Sequence, residues 1–304
     1  MVNEVIDALS INAGGCYLDG TFGRGGHSRE ILNRLGANGR LIAVDKDQQA
    51  IDYAQSNFSH DSRFIAIKSS FAKLDQVLSS VLGECKLDGA LFDLGVSSPQ
   101  LDQPERGFSF RKSGPLDMRM DQDSDESAAS WLAKAELYEL RKVFRQYGEE
   151  RYAGRIARQI VEVREQQPIE TTDQLADLIS QIVPTREKGK HPATRVFQAI
   201  RIRINQELEE LQLMLPVILN WIKPKGRLVV ISFHSLEDRI VKRFMRQAAK
   251  GDNFPLDLAV TQDMLNPSIK LVSKAIRPSD SEIKRNPRSR SAVLRAAQKL
   301  EQKS

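Results

Sequence analysis

The stretch Leu18-Asp-Gly-Thr-Phe-Gly-Arg-Gly-Gly-His-Ser28 decides the fold of this chain. It lies between an apolar run that ends at Asp19 and an amphipathic segment, and it contains Gly20, Gly23, Gly25 and Gly26. Glycines let backbone N–H groups and the start of a helix approach a ligand closely. The stretch therefore predicts a nucleotide-type cradle between a first strand and a first helix.

The residues around this cradle alternate short apolar runs with amphipathic stretches, a pattern typical of strand–helix–strand units in a parallel sheet. Strands are predicted at residues 15–18, 41–44, 64–67, 89–92 and 227–233, and helices at residues 28–35, 48–58 and 71–82. A turn is predicted at residues 223–226, before the last strand. The sequence thus predicts an α/β fold of the Rossmann-like class.

The sheet pattern is interrupted in the middle of the chain. Residues 101–119 are rich in Gly, Pro, Ser and Asp, which predicts a long exposed loop, and apolar residues then recur at helical spacing as far as about residue 212. We therefore expect a first sheet part at residues 1–101, a mostly helical insert at residues 102–205, and a second sheet part with a basic tail at residues 206–304.

Composition limits the class of protein. The 304 residues contain no run near the roughly 18 apolar residues of a membrane span, and the start at Met1 lacks the basic region of a secretion signal. The two cysteines, Cys16 and Cys85, are far apart and near no His, so neither a disulfide framework nor a zinc site is expected. We predict a cytoplasmic protein without a metal.

Basic residues are concentrated in two parts of the chain. The last 35 residues hold ten Lys and Arg against three acids, and a second basic stretch runs through residues 188–203. Such clusters favour an RNA partner, although any single arginine is equally compatible with a solvated face. The candidate RNA-binding residues are Arg195, Arg201, Arg203, Arg285, Arg288 and Arg290, and a further basic group is Arg151, Arg155 and Arg158 beside Tyr152.

Three residues indicate which cofactor the cradle holds. Asp45 ends the second predicted strand, where a carboxylate can accept both ribose hydroxyls, or it is an N-cap or turn aspartate before the following helix. Asp19 would repel a pyrophosphate but attract the charged amino acid end of S-adenosylmethionine. Phe71 either packs on an adenine or acts as a helix staple. The glycine spacing also departs from G-x-G-x-x-G, so S-adenosylmethionine is favoured over a nicotinamide cofactor.

A second motif, Asp93-Leu-Gly-Val-Ser-Ser-Pro-Gln100, follows the fourth strand. The carboxyl ends of strands hold ligands in open α/β sheets, so Asp93 either meets cofactor and substrate or is a satisfied loop carboxylate. The motif resembles the Asp-Pro-Pro-Tyr motif of amino methyltransferases, without its double proline and its aromatic. Ser97 and Ser98 complete the predicted catalytic group.

His234 follows the last predicted strand and is a candidate proton acceptor. Glu237 and Asp238 are expected to be surface charges on an N-capped helix. Methylation of a pyrimidine C5 needs a cysteine nucleophile in a catalytic loop, and both cysteines instead lie before predicted strands. Transfer to an exocyclic amine needs no covalent intermediate and is therefore favoured.

Further motifs carry a resemblance to a known family. With the two motifs above, Arg106-Gly-Phe-Ser-Phe110, Gly114-Pro-Leu-Asp-Met-Arg-Met120, His191-Pro-Ala-Thr-Arg195 and Ser232-Phe-His-Ser-Leu-Glu-Asp-Arg239 closely resemble those of the ribosomal RNA small subunit methyltransferase H family. That resemblance implies a class I S-adenosylmethionine-dependent methyltransferase sheet with an inserted all-helical domain that helps recognise RNA. It implies methylation of a cytosine N4 in the decoding region of 16S rRNA, near the P-site codon.

The resemblance also implies the binding residues and the partner. It places S-adenosylmethionine contacts at Gly25, Gly26, His27, Asp45, Phe71, Asp93 and Gln100, and Gly23 belongs to the same loop. The implied partner is 16S rRNA in the 30S subunit or a late assembly particle, and a homodimer is compatible with the sequence. Family members usually carry a short additional stretch before the position of Glu4. An RNA-binding assembly factor without catalysis is the competing interpretation, against which the three carboxylates of the site count.

Overall fold

A computed structural model describes residues 1–184, 191–252 and 265–301. The chain forms two compact units: a sheet unit, Met1–Gly95 with Leu208–Ser304, and a helical unit, Val96–Glu207. The sequence had placed these boundaries after residues 101 and 205. No helix of the described ranges is long and apolar enough to cross a membrane.

The elements of both units are numbered in chain order. The strands are β1 (Cys16–Asp19), β2 (Arg40–Asp45), β3 (Phe64–Lys68), β4 (Leu87–Asp93), β5 (Ile222–Ser232), β6 (Ile269–Leu271) and β7 (Val293–Lys299). The helices are α1 (Val2–Leu9), α2 (Gly26–Leu32), α3 (Gln48–Phe58), α4 (Leu74–Leu82), α5 (Ser98–Asp102), α6 (Ala128–Lys134), α7 (Leu137–Gln146), α8 (Ala153–Arg164), α9 (Thr172–Ile182), α10 (Thr194–Asn205), α11 (Glu207–Trp221), α12 (Ser235–Lys250) and α13 (Asp280–Arg285).

The sheet of the first unit has the strand order β3-β2-β1-β4-β5-β7-β6. Strands β1 to β5 are parallel, and β7 is antiparallel to both β5 and β6. Both faces are covered: Leu91 of β4 packs in the apolar cluster on one face and the adjacent Phe92 in the cluster on the other. Because strands buried on both faces need apolar residues at consecutive positions, they read as short continuous apolar runs.

The first four strands confirm the sequence prediction to within about two residues, and α3 has the predicted bounds. The predicted turn at residues 223–226 is wrong, since these residues lie within β5. There the register shifts: Ile222 pairs with Leu87 but Arg227 pairs with Gly89, so the intervening residues form an irregularity at which Lys225 has a φ of 70°.

The basic tail contains two strands that the sequence did not reveal. Strand β7 pairs with β5 from Arg227 opposite Gln298 to Ser232 opposite Val293. Its sequence lacks a clear apolar–polar alternation, because it includes Arg295 and two neighbouring alanines. The backbone ladder with β5, rather than intrinsic β-propensity, makes this segment a strand.

The helical unit has its own apolar core, which includes Trp131, Phe144 and Ile200. The prediction that residues 101–119 form an exposed loop is wrong, because Leu116 and Met118 are buried. The buried Arg106 donates to the carbonyl oxygens of Arg119 and Met120. Side-chain bonds to backbone carbonyls therefore hold a segment whose composition alone is typical of an exposed loop.

Candidate active site

Carboxylates end three adjacent strands of the sheet unit. Asp19 is the last residue of β1, Asp45 of β2 and Asp93 of β4. Because these strands are parallel neighbours, their carboxyl ends lie at one edge of the sheet, where open α/β sheets hold ligands.

The glycine-rich loop between β1 and α2 is tied to this edge by its backbone. Gly20 N donates to the Leu91 carbonyl (2.9 Å), and Gly23 N donates to Oδ2 of Asp45 (2.8 Å). Gly25 has a φ of 70°, and a Cβ there would lie 2.6 Å from the Phe58 ring. At Gly26, by contrast, a Cβ would meet nothing within 4 Å, so the backbone borders open space that a ligand can enter.

Asp45 acts on the loop rather than on the helix that follows it. Its carboxylate accepts from Gly23 N and from Asp47 N (2.9 Å), whereas the N-cap of α3 is Asp47. The alternative interpretation of Asp45 as an N-cap is therefore wrong, but Asp45 is a turn aspartate through its bond with Asp47 N. Burial raises the pKa of Asp45 to about 6. A carboxylate has about four acceptor positions, so acceptor capacity for ribose hydroxyls remains.

Asp19 is almost completely buried. Ser28 Oγ donates to its Oδ2 (2.7 Å), and Thr21 N donates to its Oδ1 (3.2 Å). Burial raises the pKa of Asp19, and the nearby His27 opposes that rise. Asp19 thus fixes the start of the loop and places a carboxylate beneath it.

His27 and Asp93 form a pair in which one atom of each side chain has no hydrogen-bond partner among the described residues. Nε2 of His27 lies 3.4 Å from Oδ2 of Asp93, and the Asp93 backbone N donates to Thr21 Oγ1 (2.6 Å). Burial by itself would lower the pKa of His27, but Asp93 and Asp19 together raise it. Nδ1 of His27 and Oδ1 of Asp93 are buried without a hydrogen-bond partner among the residues described. Such atoms are costly unless a ligand completes them.

Phe71 stands in a short 3₁₀ helix, Phe71–Lys73, directly after β3. Its ring meets the Phe92 ring at 5.4 Å between centroids and an interplanar angle of 86°. A Cβ at Gly20 would overlap Phe92, so a glycine there is needed for Phe92 to hold the Phe71 ring in place. The predicted adenine contact of Phe71 remains compatible with this position.

His234 and Glu237 are engaged with the start of α12. His234 is the N-cap, and its Nδ1 accepts from Glu237 N (3.4 Å) while its Nε2 lies 3.2 Å from Oε1 of Glu237. Glu237 is buried and accepts from Phe233 N (2.9 Å). Asp238 pairs with Arg295 through two bonds of 2.7 and 3.0 Å. The predicted N-capped helix is therefore confirmed, whereas the prediction that Glu237 is a surface charge is wrong; Asp238 is partly exposed and paired.

Three residues predicted for catalysis or cofactor binding belong to the helical unit. Ser97 is the N-cap of α5 and forms a capping box with Gln100, whose Oε1 accepts from Ser97 N (2.9 Å). Ser98 is exposed at the first position of α5. Ser97 and Gln100 thus stabilise a helix start, and their roles toward substrate and cofactor stay predictions.

The arginines predicted to bind RNA have different surroundings. Arg201 makes a bidentate pair with Glu207 (2.8 and 2.9 Å), Arg203 contacts Glu139 (3.2 Å), and Arg195 donates to the Glu149 carbonyl. The exposed tail residues are Arg285, Arg288 and Arg290, and Arg285 lies 3.2 Å from Glu282. Lys188 and Lys190 of the second basic stretch lie outside the described residues.

Sequence reasoning missed two residues that assemble the site. Thr21 joins the loop to the end of β4, and Ser28 holds Asp19. Both stand inside the quoted loop motif, but a single hydroxyl in a glycine-rich loop has no spacing that reveals its partner.

A parallel sheet with an antiparallel seventh strand, and with acids ending β1, β2 and β4 around a glycine-rich loop, defines the class I S-adenosylmethionine-dependent methyltransferases. The residues present fit that cofactor. His27 Nδ1 suits its carboxylate, Asp45 its ribose and Phe71 its adenine, and Gly26 borders the space it would enter. The chain belongs to the MraW methylase family, whose sequence model matches residues 1–300.

Known proteins are similar along the whole chain. The ribosomal RNA small subunit methyltransferase H of Thioalkalivibrio sulfidiphilus is 55% identical over 301 residues, which cover 99% of this chain and 96% of that protein. The protein of the same name from Legionella pneumophila strain Corby is 54% identical over 300 residues, covering 99% and 97%. A crystal structure of an rRNA methylase from Streptococcus thermophilus aligns with a TM-score of 0.44 at 11% identity, covering 99% and 96%.

Proposed function

We propose that this protein transfers a methyl group from S-adenosylmethionine to the exocyclic N4 of a cytosine in the decoding region of 16S rRNA. The relatives at 54–55% identity, whose name specifies small-subunit rRNA, support the substrate. The observation that supports the chemistry is that Oδ1 of Asp93 is a buried acceptor without a partner among the described residues. Such an oxygen can accept a hydrogen bond from the exocyclic amine of a cytosine.

The sheet unit supplies the binding residues. S-adenosylmethionine, when bound, supplies an electrophilic methyl group. His27 Nδ1 would hold its carboxylate, Asp45 would accept from its ribose hydroxyls, and Phe71 would pack on its adenine. The raised pKa of His27 favours the protonated ring, which strengthens a bond to a carboxylate.

Asp93 orients the nucleophile. Its Oδ2 faces His27, and Thr21 fixes its backbone, so Oδ1 has one direction in which to accept a hydrogen bond. An N4–H bond donated to Oδ1 turns the nitrogen lone pair toward the methyl carbon. Transfer would join N4 to the methyl group that S-adenosylmethionine supplies, the electron pair of the broken S–C bond would stay on sulfur, and the N4 proton would pass to Asp93 or to solvent. Orientation of this kind contributes much of a transfer rate.

His234 is a weaker candidate for the proton acceptor than Asp93. Nδ1 of His234 accepts from Glu237 N in the cap of α12, and its Nε2 lies beside a Glu237 carboxylate oxygen without a hydrogen bond. Asp93 instead ends β4 at the edge of the sheet that holds the glycine-rich loop, and its Oδ1 is a buried acceptor. We propose the cytoplasm and a 30S subunit or late assembly particle as the setting of the reaction, in which the helical unit recognises RNA.

Transfer of a labelled methyl group to 30S particles from a strain lacking this gene, followed by nucleoside mass spectrometry, tests the proposal. N4-methylcytidine at the decoding site is expected. Asp93→Asn should lower kcat by about 100-fold or more, because the amide offers one acceptor and adds a donor. Asp7→Asn, an exposed carboxylate on α1, is the matched control.

Two results would overturn the proposal. A methyl group found on another base or atom refutes the substrate. Normal turnover by Asp93→Asn refutes the mechanism, and a His234→Ala enzyme with reduced kcat but normal folding would then shift the role to His234. Binding of S-adenosylmethionine without any transfer would support the assembly-factor interpretation.

A further inference from the structure

A cleft of about 1120 Å³ runs along α7 and α8 in the helical unit. Five arginines line it: Arg141, Arg145, Arg151, Arg155 and Arg158. Pockets for small molecules usually measure about 300–1,000 Å³ and carry few charged residues. This cleft is slightly larger and is lined by five arginines, which favours an extended anionic ligand.

The charges of these arginines are not neutralised by carboxylates. All five are exposed, and none forms an ion pair within the described part of the chain. Arg158 donates to the Gly154 carbonyl of its own helix (3.2 Å), and Arg155 lies 5.9 Å from the Tyr152 ring centroid. Clustered like charges repel one another, so a polyanion that enters the cleft relieves that repulsion.

Two glutamates also line the cleft, and they offset only part of the positive charge of the arginines. Glu150 is buried, and its Oε1 accepts from Tyr152 N (2.8 Å), so it stabilises the start of α8. Glu149 also lines the cleft, and its carbonyl accepts from Arg195. Five arginines against two glutamates leave a formal charge of +3.

An exposed aromatic completes the cleft. Tyr138 is 75% exposed, and the adjacent Leu137 is 41% exposed, on the first turn of α7. An aromatic ring beside a cationic groove is the arrangement with which proteins bind single-stranded nucleic acid: the charges follow the backbone and a base stacks on the ring.

We propose that this cleft, the arginine cleft of α7 and α8, binds a single-stranded segment of RNA, with Tyr138 stacking on a base. The inference rests on the proposed function only in taking RNA as the polyanion. It assigns the contact to residues other than Arg201 and Arg203, whose charges are already paired with glutamates.

The test is direct binding of a fluorescein-labelled single-stranded RNA of mixed sequence, roughly 12 nucleotides long, to the full-length protein. The variant Arg141→Gln/Arg151→Gln/Arg155→Gln should weaken binding at least tenfold. The slope of log Kd against log salt concentration should decrease by about 2, since each of three lost phosphate contacts contributes about 0.7 to that slope. Tyr138→Ala should weaken binding roughly 5- to 150-fold by loss of one stacked base.

The matched control is Lys242→Gln/Arg243→Gln/Arg246→Gln, which removes three exposed charges from α12 of the sheet unit. It should bind RNA within about threefold of wild type. Equal losses in both triple variants would show non-specific attraction and overturn the proposal. Unchanged binding in the cleft variant would do the same, and tighter binding of duplex than of single-stranded RNA would refute the stacking role.

Methyl transfer separates this inference from the proposed function. The cleft variant should raise KM for 30S particles, leave kcat unchanged and keep the wild-type affinity for S-adenosylmethionine. If wild type transfers no methyl group but the cleft variant still loses RNA binding, the proposed function fails and the cleft assignment stands. If wild type transfers the methyl group, and the cleft variant keeps both normal RNA binding and a normal KM, the cleft assignment fails while the proposed function stands.

Discussion

The edge of the sheet and the arginine cleft hold charge in opposite ways. At the edge, Asp19 and Asp45 are buried and bound to loop backbone or Ser28, and one oxygen of Asp93 remains for a ligand. In the cleft, five exposed arginines have no carboxylate partner among the described residues. Substitution of a single buried polar group should have a large effect on stability or binding, because a buried donor or acceptor left without a partner costs its full desolvation free energy. Exposed charges act together, and salt screens them.

The largest expected effect in this comparison comes from the loop at the edge. Gly25→Ala should lower the free energy of unfolding by about 2–4 kcal/mol, or abolish cofactor binding, because the residue combines a φ of 70° with a Cβ position 2.6 Å from Phe58. Thermal or urea unfolding and calorimetry with S-adenosylmethionine measure both effects.

Gly83→Ala is the control for backbone strain. Gly83 also has a positive φ, 58°, but a Cβ there would meet nothing within 4 Å. The ψ of Gly83 is −119°, outside the left-handed helical region, so Gly83→Ala should cost about 1–3 kcal/mol by backbone strain alone and leave affinity for S-adenosylmethionine unchanged. Equal loss of cofactor affinity in both variants would mean that the contact with Phe58 does not shape the loop.

A smaller effect should appear as pH dependence. Since the pKa of Asp45 is raised to about 6, the carboxylate becomes protonated as the pH falls from 7 to 5 and loses acceptor capacity. Affinity for S-adenosylmethionine should fall about tenfold over that range, measured by calorimetry. Asp93 and Asp19 raise the pKa of His27, so protonation of this ring also changes with pH, and Asp45→Asn is the required comparison.

The Asp45→Asn variant should bind more weakly at pH 7 and show a flatter profile below it. An identical pH profile in wild type and variant would exclude Asp45 as the titrating group. Exposed Asp52, on α3, provides Asp52→Asn as a substitution with no expected effect.

The smallest expected effects separate paired from unpaired arginines. Arg201→Gln should lower the free energy of unfolding by about 2 kcal/mol, because it breaks a largely buried pair with Glu207, and should change RNA affinity less than twofold. Arg151→Gln in the cleft should change stability by less than about 0.5 kcal/mol but weaken RNA binding several-fold. The reverse pattern would assign the RNA contact to α10 instead.

Much of the sheet unit could be predicted from local pattern. The runs that form β1 to β4 are apolar at consecutive positions because both sheet faces are covered, and Asp47, Gln48 and the periodicity after them define α3. Strand β7 could not be predicted, since its pairing with β5 joins residues more than 60 positions apart. The buried loop around Leu116 and Met118 escaped prediction for the same reason: its partners are distant carbonyls and side chains.

The class of fold, the glycine-rich loop and the acids at the strand ends can be recognised in the local sequence, because each depends on residues that are near neighbours in the chain. Which charged groups are available to a ligand depends instead on tertiary contacts. Folding bound Glu237 to the start of α12 and Arg201 to Glu207. Among the described residues it left Oδ1 of Asp93 without a hydrogen-bond partner and the five arginines of the cleft without a carboxylate partner. A charge count cannot separate these cases, since the electrostatic effect of a side chain depends on its burial and on partners brought together by folding.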